Sequence, residues 1–455
     1  MPPKSASIDN KTLYRNLVHI VLPIAIQYLI SSSLSLVDNL MVGRLGEVAL
    51  ASVGVGSQMF SVFWGILFGF CSAGSAFMSQ FWGSRDLTNI RRTIGFCGTV
   101  CFAAGTLICV LALTIPASLV RLFSSIPEAI EGGVGYLRII APTFVLFPIS
   151  MTLSSGLRST QQTRLPLAIS LATFGTNTVL NYLLIFGKLG LPALGVNGAA
   201  TATLIARCIE LALTFFVVFG RKNVIAGPLR EYFGYGRELV KRIFSTGLPV
   251  MANETMWSLG QSVISAMFGR MTVVAYSSFL AANTIEMMFL LVCFSMADAV
   301  MILVGQKLGE GDTETAYEMA KKLNRIGTCV GLVMSALMFL VAPLIVRMYN
   351  MTPEGIADTT RILYVQAAFM TIEIAGALII VGALRCGGDT KAAAFIEVGC
   401  LWAVSIPLVW LAIFVLDLPV YFAVAMYMIG QLMKFILARR RFKTRKWCRT
   451  IINGL

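Results

Sequence analysis

The sequence predicts an all-α polytopic membrane protein, with twelve transmembrane helices in two six-helix lobes related by a pseudo-twofold axis. Three observations carry that expectation. Of 455 residues, 57% are hydrophobic and only 13% charged, too few charges to cover a globular surface of that size. Apolar runs of about 20 residues or more recur along the whole chain, each long enough to cross a bilayer as a helix. The chain also repeats itself. Leu22-Pro23 returns as Leu248-Pro249, Gly43-Arg44 as Gly269-Arg270, and Gln80-x-x-Gly83 as Gln306-x-x-Gly309, each 226 positions on (248 − 22). One residue of slippage then sets Leu157-Arg158-x4-Thr163-Arg164 against Leu384-Arg385-x4-Thr390-Lys391, at 227 (385 − 158). A β-barrel would need short segments alternating in polarity, and these runs do not alternate.

Taken in order, the spans begin with roughly 15–41, which contains Pro23 and ends on Asp38 and Gly43-Arg44. The second, 48–79, runs to Gly83, and Asp86 three residues later is placed to cap the next helix. The third is 92–117, and the fourth, 132–156, carries Pro142 and Pro148 as sources of bending. The fifth, 165–187, sets Thr173, Asn177 and Asn181 on one stripe at spacings of four. The sixth, 194–220, opens with Gly195-Val196-Asn197-Gly198-Ala199-Ala200-Thr201-Ala202-Thr203, small residues that permit close helix packing. A linker, 221–243, follows; its later part is amphipathic and basic, which suits a helix in the cytoplasmic interface that tethers two bodies without locking them.

The second half repeats this plan. Its spans are 244–270, 276–306, 322–347, 358–384, 391–414 and 417–437. Pro249 answers Pro23, Gly309 ends the second of them, and Asp312 is placed as Asp86 is. Six spans is an even number, so both halves enter the membrane in one orientation, as parallel repeats whose lobes can rock about a site between them. The expected divisions are 1–220 for the N-terminal lobe, 221–243 for the linker, 244–437 for the C-terminal lobe and 438–455 for a basic tail. No soluble domain is visible.

The formal charge of +14 does not read as nucleic-acid binding, because of where the charges fall. The side holding both ends takes Lys4, Lys11, Arg15, Arg85, Arg91, Arg92, Arg158, Arg164, the linker, Lys307, Lys321, Lys322, Arg325, Arg385, Lys391 and the tail. The opposite side takes Arg44, Arg121, Arg138, Lys188, Arg270, Arg347 and Arg361. That is the positive-inside pattern, so both termini are expected in the cytoplasm and the protein in the cell (inner or plasma) membrane. Arg158 and Arg385 are read as cations at cytoplasmic helix ends. The tail Ala438-Arg439-Arg440-Arg441-Phe442-Lys443-Thr444-Arg445-Lys446 is read first as a topology anchor and then as a contact for anionic lipid headgroups. Ten scattered cysteines give neither a disulfide framework nor a zinc site; Cys97 and Cys101 share a helical face but lack a second pair of ligands. The polar first ten residues lead into a span too long for a cleaved signal, so the first helix is expected to be retained.

Carboxylates inside hydrocarbon are costly and need a partner or a task. Asp38 has Ile264 as its repeat counterpart (38 + 226), so the shared architecture does not require an acid there. Amides at 177 and 181 and hydroxyls near that acid serve either to hold a proton or small cation on it or simply to join helices. In the second half Glu254 stands opposite Tyr28, Glu286 opposite Phe60, and Asp298 and Glu373 complete the set. Trp257, Met287, Met288, Phe289, Phe369 and Met370 flank these acids, which suits a cavity for flat organic cations as well as plain packing. Glu397 and the pair Arg207–Glu210 stay open between function and internal neutralisation. His19 is placed at the interface. No nucleotide-binding loop, Ser/His/Asp order or metal cluster is evident, so no enzymatic activity and no cofactor is expected, and the energy must come from an ion gradient.

These residues together resemble a known family. Leu36-Val37-Asp38-Asn39-Leu40-Met41-Val42-Gly43-Arg44-Leu45-Gly46 is similar to the first-helix signature of multidrug and toxic compound extrusion (MATE) transporters. Gln80-Phe81-Trp82-Gly83, Gly156-Leu157-Arg158, Asn177-x3-Asn181, Gly198-Ala199-Ala200, Gln306-Lys307-Leu308-Gly309 and Leu384-Arg385-x3-Asp389-Thr390 resemble its later landmarks, in order, over nearly the whole chain. The resemblance implies a V-shaped pair of lobes exporting small, cationic organic compounds by antiport against Na⁺ or H⁺, as a monomer. It implies a cation-coupling site, with Na⁺ as one ligand, at Asp38, Asn177 and Asn181, to which Thr203 is added. It implies a substrate or second coupling site at Glu254, Glu286 and Glu373, with Asp298 and Trp257 nearby. Some members carry an acid where this chain has Asn181, leaving Asp38 the lone carboxylate of its site, and Glu373 falls one residue out of register. The alternative in the same superfamily is a flippase for lipid-linked oligosaccharide, which would want a cationic cavity. A channel would need a continuous pore and usually oligomeric symmetry.

Overall fold

In the computed structural model, residues 10–124, 126–349 and 351–455 are described; Lys4 and the rest of the polar N-terminal stretch lie outside them. The described chain is helical throughout, with no strand. It separates into two compact units, Ile26–Phe244 and Ser245–Leu455, the second also taking in the start of the first helix as far as Ala25.

The first unit contains most of α1 (Asn10–Gly43), then α2 (Glu47–Gly83), α3 (Leu87–Thr114), α4 (Pro116–Arg121), α5 (Pro127–Ile140), α6 (Thr143–Ser159), α7 (Arg164–Phe186), α8 (Val196–Phe215) and the short α9 (Leu229–Phe233). Its core is α2 packed on α3, α5 and α6, with α7 against α8. Gly83 ends α2, and Asp86 caps α3 by accepting from the Asn89 amide at 3.0 Å. The fourth expected span is not one helix. It breaks at Ala141-Pro142, and α5 and α6 meet at 50°. Proline has no N–H to continue the ladder and restricts the residue before it, which is sufficient cause.

The linker is more firmly held than a free tether. Arg91 donates to Glu231 at 2.7 Å and to the carbonyls of Ile225 and Val224 at 3.3 and 3.2 Å, while Tyr232 bonds the Ile225 carbonyl at 2.6 Å. Gly95 on α3 permits the approach of α9, since a methyl group there would lie 1.7 Å from the Tyr232 carbonyl oxygen. Gly95→Ala is therefore expected to destabilise the unit by about 1–3 kcal/mol and to expose 221–236 to protease. A wild-type melting midpoint together with an unchanged digestion pattern would show that the close approach does not matter.

The second unit holds most of α10 (Arg237–Phe268), then α11 (Val273–Gly309), α12 (Thr313–Val346), α13 (Pro353–Ala377), α14 (Thr390–Cys400), α15 (Ile406–Trp410) and α16 (Val420–Lys443). α13 is central and packs on α11, α12 and α16. Asp312 caps α12 as Asp86 caps α3, and hydrogen bonding by Thr315, whose amide donates at 3.0 Å, holds the Asp312 carboxyl below the ordinary carboxylate range. Wide π-type turns continue α13 through Leu378–Leu384 and flank α15 at Leu401–Ser405 and Leu411–Val415, the first of that pair just before Pro407.

Among the described residues ten helices are long and apolar enough to cross a membrane, and the bent pair α5–α6, taken as one span, makes an eleventh. Of the twelve expected spans, 244–270 in α10 is the one not among them; it carries Ser245, Thr246, Asn253, Glu254 and Gln261 along its length. The basic tail also differs from expectation. α16 runs on through Arg439–Arg441, and the chain beyond straps the unit. Arg441 grips Asp389 at 2.7 and 3.0 Å, Arg445 meets Glu314 at 2.6 Å, and Arg449 and Thr450 donate to the carbonyls of Gly387, Gly388 and Leu308. Trp447 is fully buried within this strap. Two of the cations expected against headgroups are thus paired with protein carboxylates.

Candidate functional site

Each unit contains a cluster of polar groups that holds the acids singled out above. In Ile26–Phe244, α1, α7 and α8 bring together the four residues read as a coupling site. Asn177 and Asn181, one turn apart on α7, are fully buried. The Asn181 amide group donates to Asp38 Oδ1 and to Asn177 Oδ1, the latter at 2.9 Å, and the Asn177 amide donates to Thr203 Oγ1 at 3.4 Å. The small-residue run makes this reach available. A methyl at Gly198 would stand 2.5 Å from the Leu184 carbonyl, and Ala199, Ala200 and Ala202 are buried beside it, so α8 lies close on α7. Gln27 pins α1 to α7 by donating to Ser170 at 3.0 Å. Thr173, on the same stripe, turns its hydroxyl back to the Ile169 carbonyl instead.

Asn181 Oδ1 is buried without a hydrogen-bond partner among the described residues. The same side chain bonds the Asp38 carboxylate and the Asn177 carbonyl oxygen, and Asn177 in turn reaches the Thr203 hydroxyl. Such an oxygen set accepts either a proton on the carboxylate or a small hard cation shared among the oxygens. One turn beyond Thr203, Arg207 pairs with Glu210 at 2.5 Å, lies 4.2 Å over the Phe147 ring, and is near enough for its charge to act on Asp38. The expected i,i+3 pair thus forms, but its base also faces the acid of the site.

In the second unit the acids form a larger network that draws on five helices. Glu254 on α10 accepts from Arg385 at 2.8 Å, and the same guanidinium lies 3.7 Å from Glu397 on α14. Asn253 donates to Glu397 at 2.8 Å, and Lys434 on α16 stands 4.0 Å from it. Glu286 on α11 accepts from Gln366 on α13 at 2.7 Å, and Gln366 also donates to Asn283 at 2.9 Å. Glu373 on α13 interacts electrostatically with Glu286, Lys434 and Glu397. One oxygen each of Glu286 and Glu373 is buried without a hydrogen-bond partner among the described residues.

Glu254, Glu286 and Glu373 therefore belong to one electrostatic network. Asp298 is twelve residues beyond Glu286 on α11, about 18 Å along the axis. Trp257 is 40% exposed and lies one turn from Glu254. Arg385, read from sequence as a helix-end cation, is only 3% exposed and is the hub of the acid pairs. Lys434, Gln366, Asn253 and the reach of Arg207 were not anticipated. Lys434 had a visible signal, since a base inside an apolar span calls for explanation as much as an acid does.

Two repeated helical units of membrane-spanning length, each with acids held by amides and bases among its helices, define a polytopic membrane transporter. The chain belongs to the MatE family, whose model matches residues 23–183 and 249–411, once in each half. The two matches begin 226 residues apart (249 − 23), the offset of the repeat. The chain is 27% identical to the probable multidrug resistance protein NorM of Pasteurella multocida over 413 residues, 87% of this chain and 85% of that one. It is 25% identical to the multidrug resistance protein MdtK of Yersinia enterocolitica, over 86% of each. It is 22% identical to an uncharacterized transporter, YisQ, of Bacillus subtilis over 93% of each. Among solved structures, a MATE in the straight conformation matches with a TM-score of 0.86 at 20% identity, covering 95% of this chain and 97% of that one. A MOP superfamily transporter from Pyrococcus furiosus matches equally, at 0.86 and 20%, over 95% and 96%. At that identity the likeness is one of fold.

Proposed function

We propose that this protein is a secondary antiporter of the cell membrane, with both termini cytoplasmic, that exports small amphipathic organic cations in exchange for Na⁺ or H⁺. The observation that carries this reading is the chain Asp38–Asn181–Asn177–Thr203, a lone half-buried carboxylate tied through two buried amides to a third helix. Its buried, unpartnered amide oxygen and its departure from the repeat at Ile264 both favour a bound ion over a purely structural bond. The names of the NorM and MdtK relatives support drugs as the exported class.

In the proposed cycle the outward-open state loads the ion at Asp38, Asn177 and Asn181, organic cation leaves to the outside, and the ion departs to the cytoplasm as new substrate binds. Coupling requires that ion and substrate each prefer a different state; otherwise neither drives the change. Glu286 and Glu373, with an unpartnered oxygen apiece, form the second place for an ion or a substrate charge. Glu254 is committed to Arg385 and contributes less free charge. The ion is cargo rather than a resident cofactor, and the working unit is a single chain.

The test is ethidium efflux from everted vesicles with Na⁺ and pH gradients imposed separately. Dye movement under one gradient and not the other supports antiport and names the ion. No movement of any organic cation under either gradient removes this reading and directs attention to lipid-linked substrates.

A further inference from the structure

We infer that Arg207 is an internal occupant of an aromatic seat suited to a flat organic cation, and that an exported molecule takes the seat by displacing it. The inference rests on the organic-cation reading above and adds the place and manner of recognition within the first unit.

The guanidinium is itself a flat cation, and it sits as such a ligand would. It lies 4.2 Å over the Phe147 ring and meets the Glu210 carboxylate at 2.5 Å. Phe147 is not isolated: it is stacked on Trp64, with centroids 6.4 Å apart, and packs against Phe60 at 5.6 Å. Trp64 is 41% exposed, so the cluster is open at the surface of the unit. A ring face with one carboxylate beside it is the chemistry that recognises a delocalised organic cation. Here the protein's own arginine fills it.

Displacement has a consequence for the neighbouring site. Arg207 stands one turn from Thr203 on α8, which places it beside the chain that ends at Asp38. A guanidinium driven off Glu210 and Phe147 by an incoming cation has Asp38 as another acid on which its charge acts. Moving toward it, Arg207 would compete with the ion held there. Substrate entry and ion exit then become one exchange of positive charges, without a long relay between them.

The experiment measures ethidium binding to the purified full-length protein by fluorescence anisotropy, with tetraphenylphosphonium as a second probe. Arg207→Gln removes the occupant and leaves rings and carboxylate, so binding tightens about tenfold. The double variant Arg207→Gln/Phe147→Leu loses that gain. Arg207→Lys keeps the pair with Glu210 but covers the ring poorly, and it tightens binding by about threefold. If Arg207→Gln fails to fold, the lysine variant decides. An arginine that only satisfies its own burial gives variants of lower stability and wild-type affinity, and that result overturns the inference. Failure of the wild type to bind either probe is a different outcome: it removes the organic-cation reading itself, and the seat with it.

Discussion

Asp38→Asn is expected to cut gradient-driven ethidium export to about a tenth of wild type or less, with an unchanged melting midpoint. The side chain keeps its size, and an amide oxygen at position 38 still accepts the bond from Asn181, so the link between α1 and α7 survives. What is lost is the charge, and in the first unit no second carboxylate lies within the Asn177–Asn181 chain to replace it. The measurement is export from vesicles under each gradient, beside the thermal midpoint of the purified variant. Wild-type export by the variant would remove Asp38 from ion coupling. Glu286→Gln and Glu373→Gln would then be the variants to compare, since those acids hold the unpartnered oxygens of the other unit.

Arg385→Ala is expected to produce the largest loss of stability, about 3 kcal/mol, because it removes the buried base of an ion pair and leaves a half-buried carboxylate behind. Arg385 is 3% exposed and sits 2.8 Å from Glu254. Glu397 keeps Asn253 at 2.8 Å and Lys434 at 4.0 Å after the change, so Glu254 is the group that loses its ion pair. Replacing both partners with apolar residues, Arg385→Met with Glu254→Leu, should recover much of the loss, since a buried pair and a packed apolar pair differ far less than a pair and a lone charge. Thermal unfolding of the two single variants and the double measures the coupling. A single variant as stable as wild type would mean that water reaches Glu254 and that the pair contributes little.

The sequence made the helices legible because a bilayer demands long apolar runs, and made their order legible because the runs repeat. The residues of the candidate site were legible for a similar reason. Asn177 and Asn181 share a helical face by spacing alone, and Asp38 has no counterpart in its repeat. Breaks and partners were harder to read. Pro142 announced a bend but not its 50° size, because the packing of α5 on α2 and of α6 on α3 sets the angle. Arg385 carried a sufficient local explanation as a helix-end cation, and that concealed its bond to a residue 131 positions away. Lys434 and Glu397 lie on different helices, and no period in one strand of sequence relates them. Tertiary pairing of charges is the part that hydropathy does not encode.

The C-terminal strap bears on biogenesis. The carbonyls of Gly387 and Gly388 accept from Arg449, that of Leu308 accepts from Thr450 as well as from the Gly311 amide, and Gly387 approaches the Trp447 backbone so closely that a methyl group would lie 1.7 Å from its carbonyl oxygen. Those helix ends cannot be completed until residues 447–450 have left the ribosome. A nascent chain stopped short of them would present the α13–α14 turn without the donors that Arg449 supplies to Gly387 and Gly388, and α11 without its bond from Thr450. Proteolytic surveillance could sort full-length chains from truncated ones at this one spot, without inspecting anything inside the bilayer.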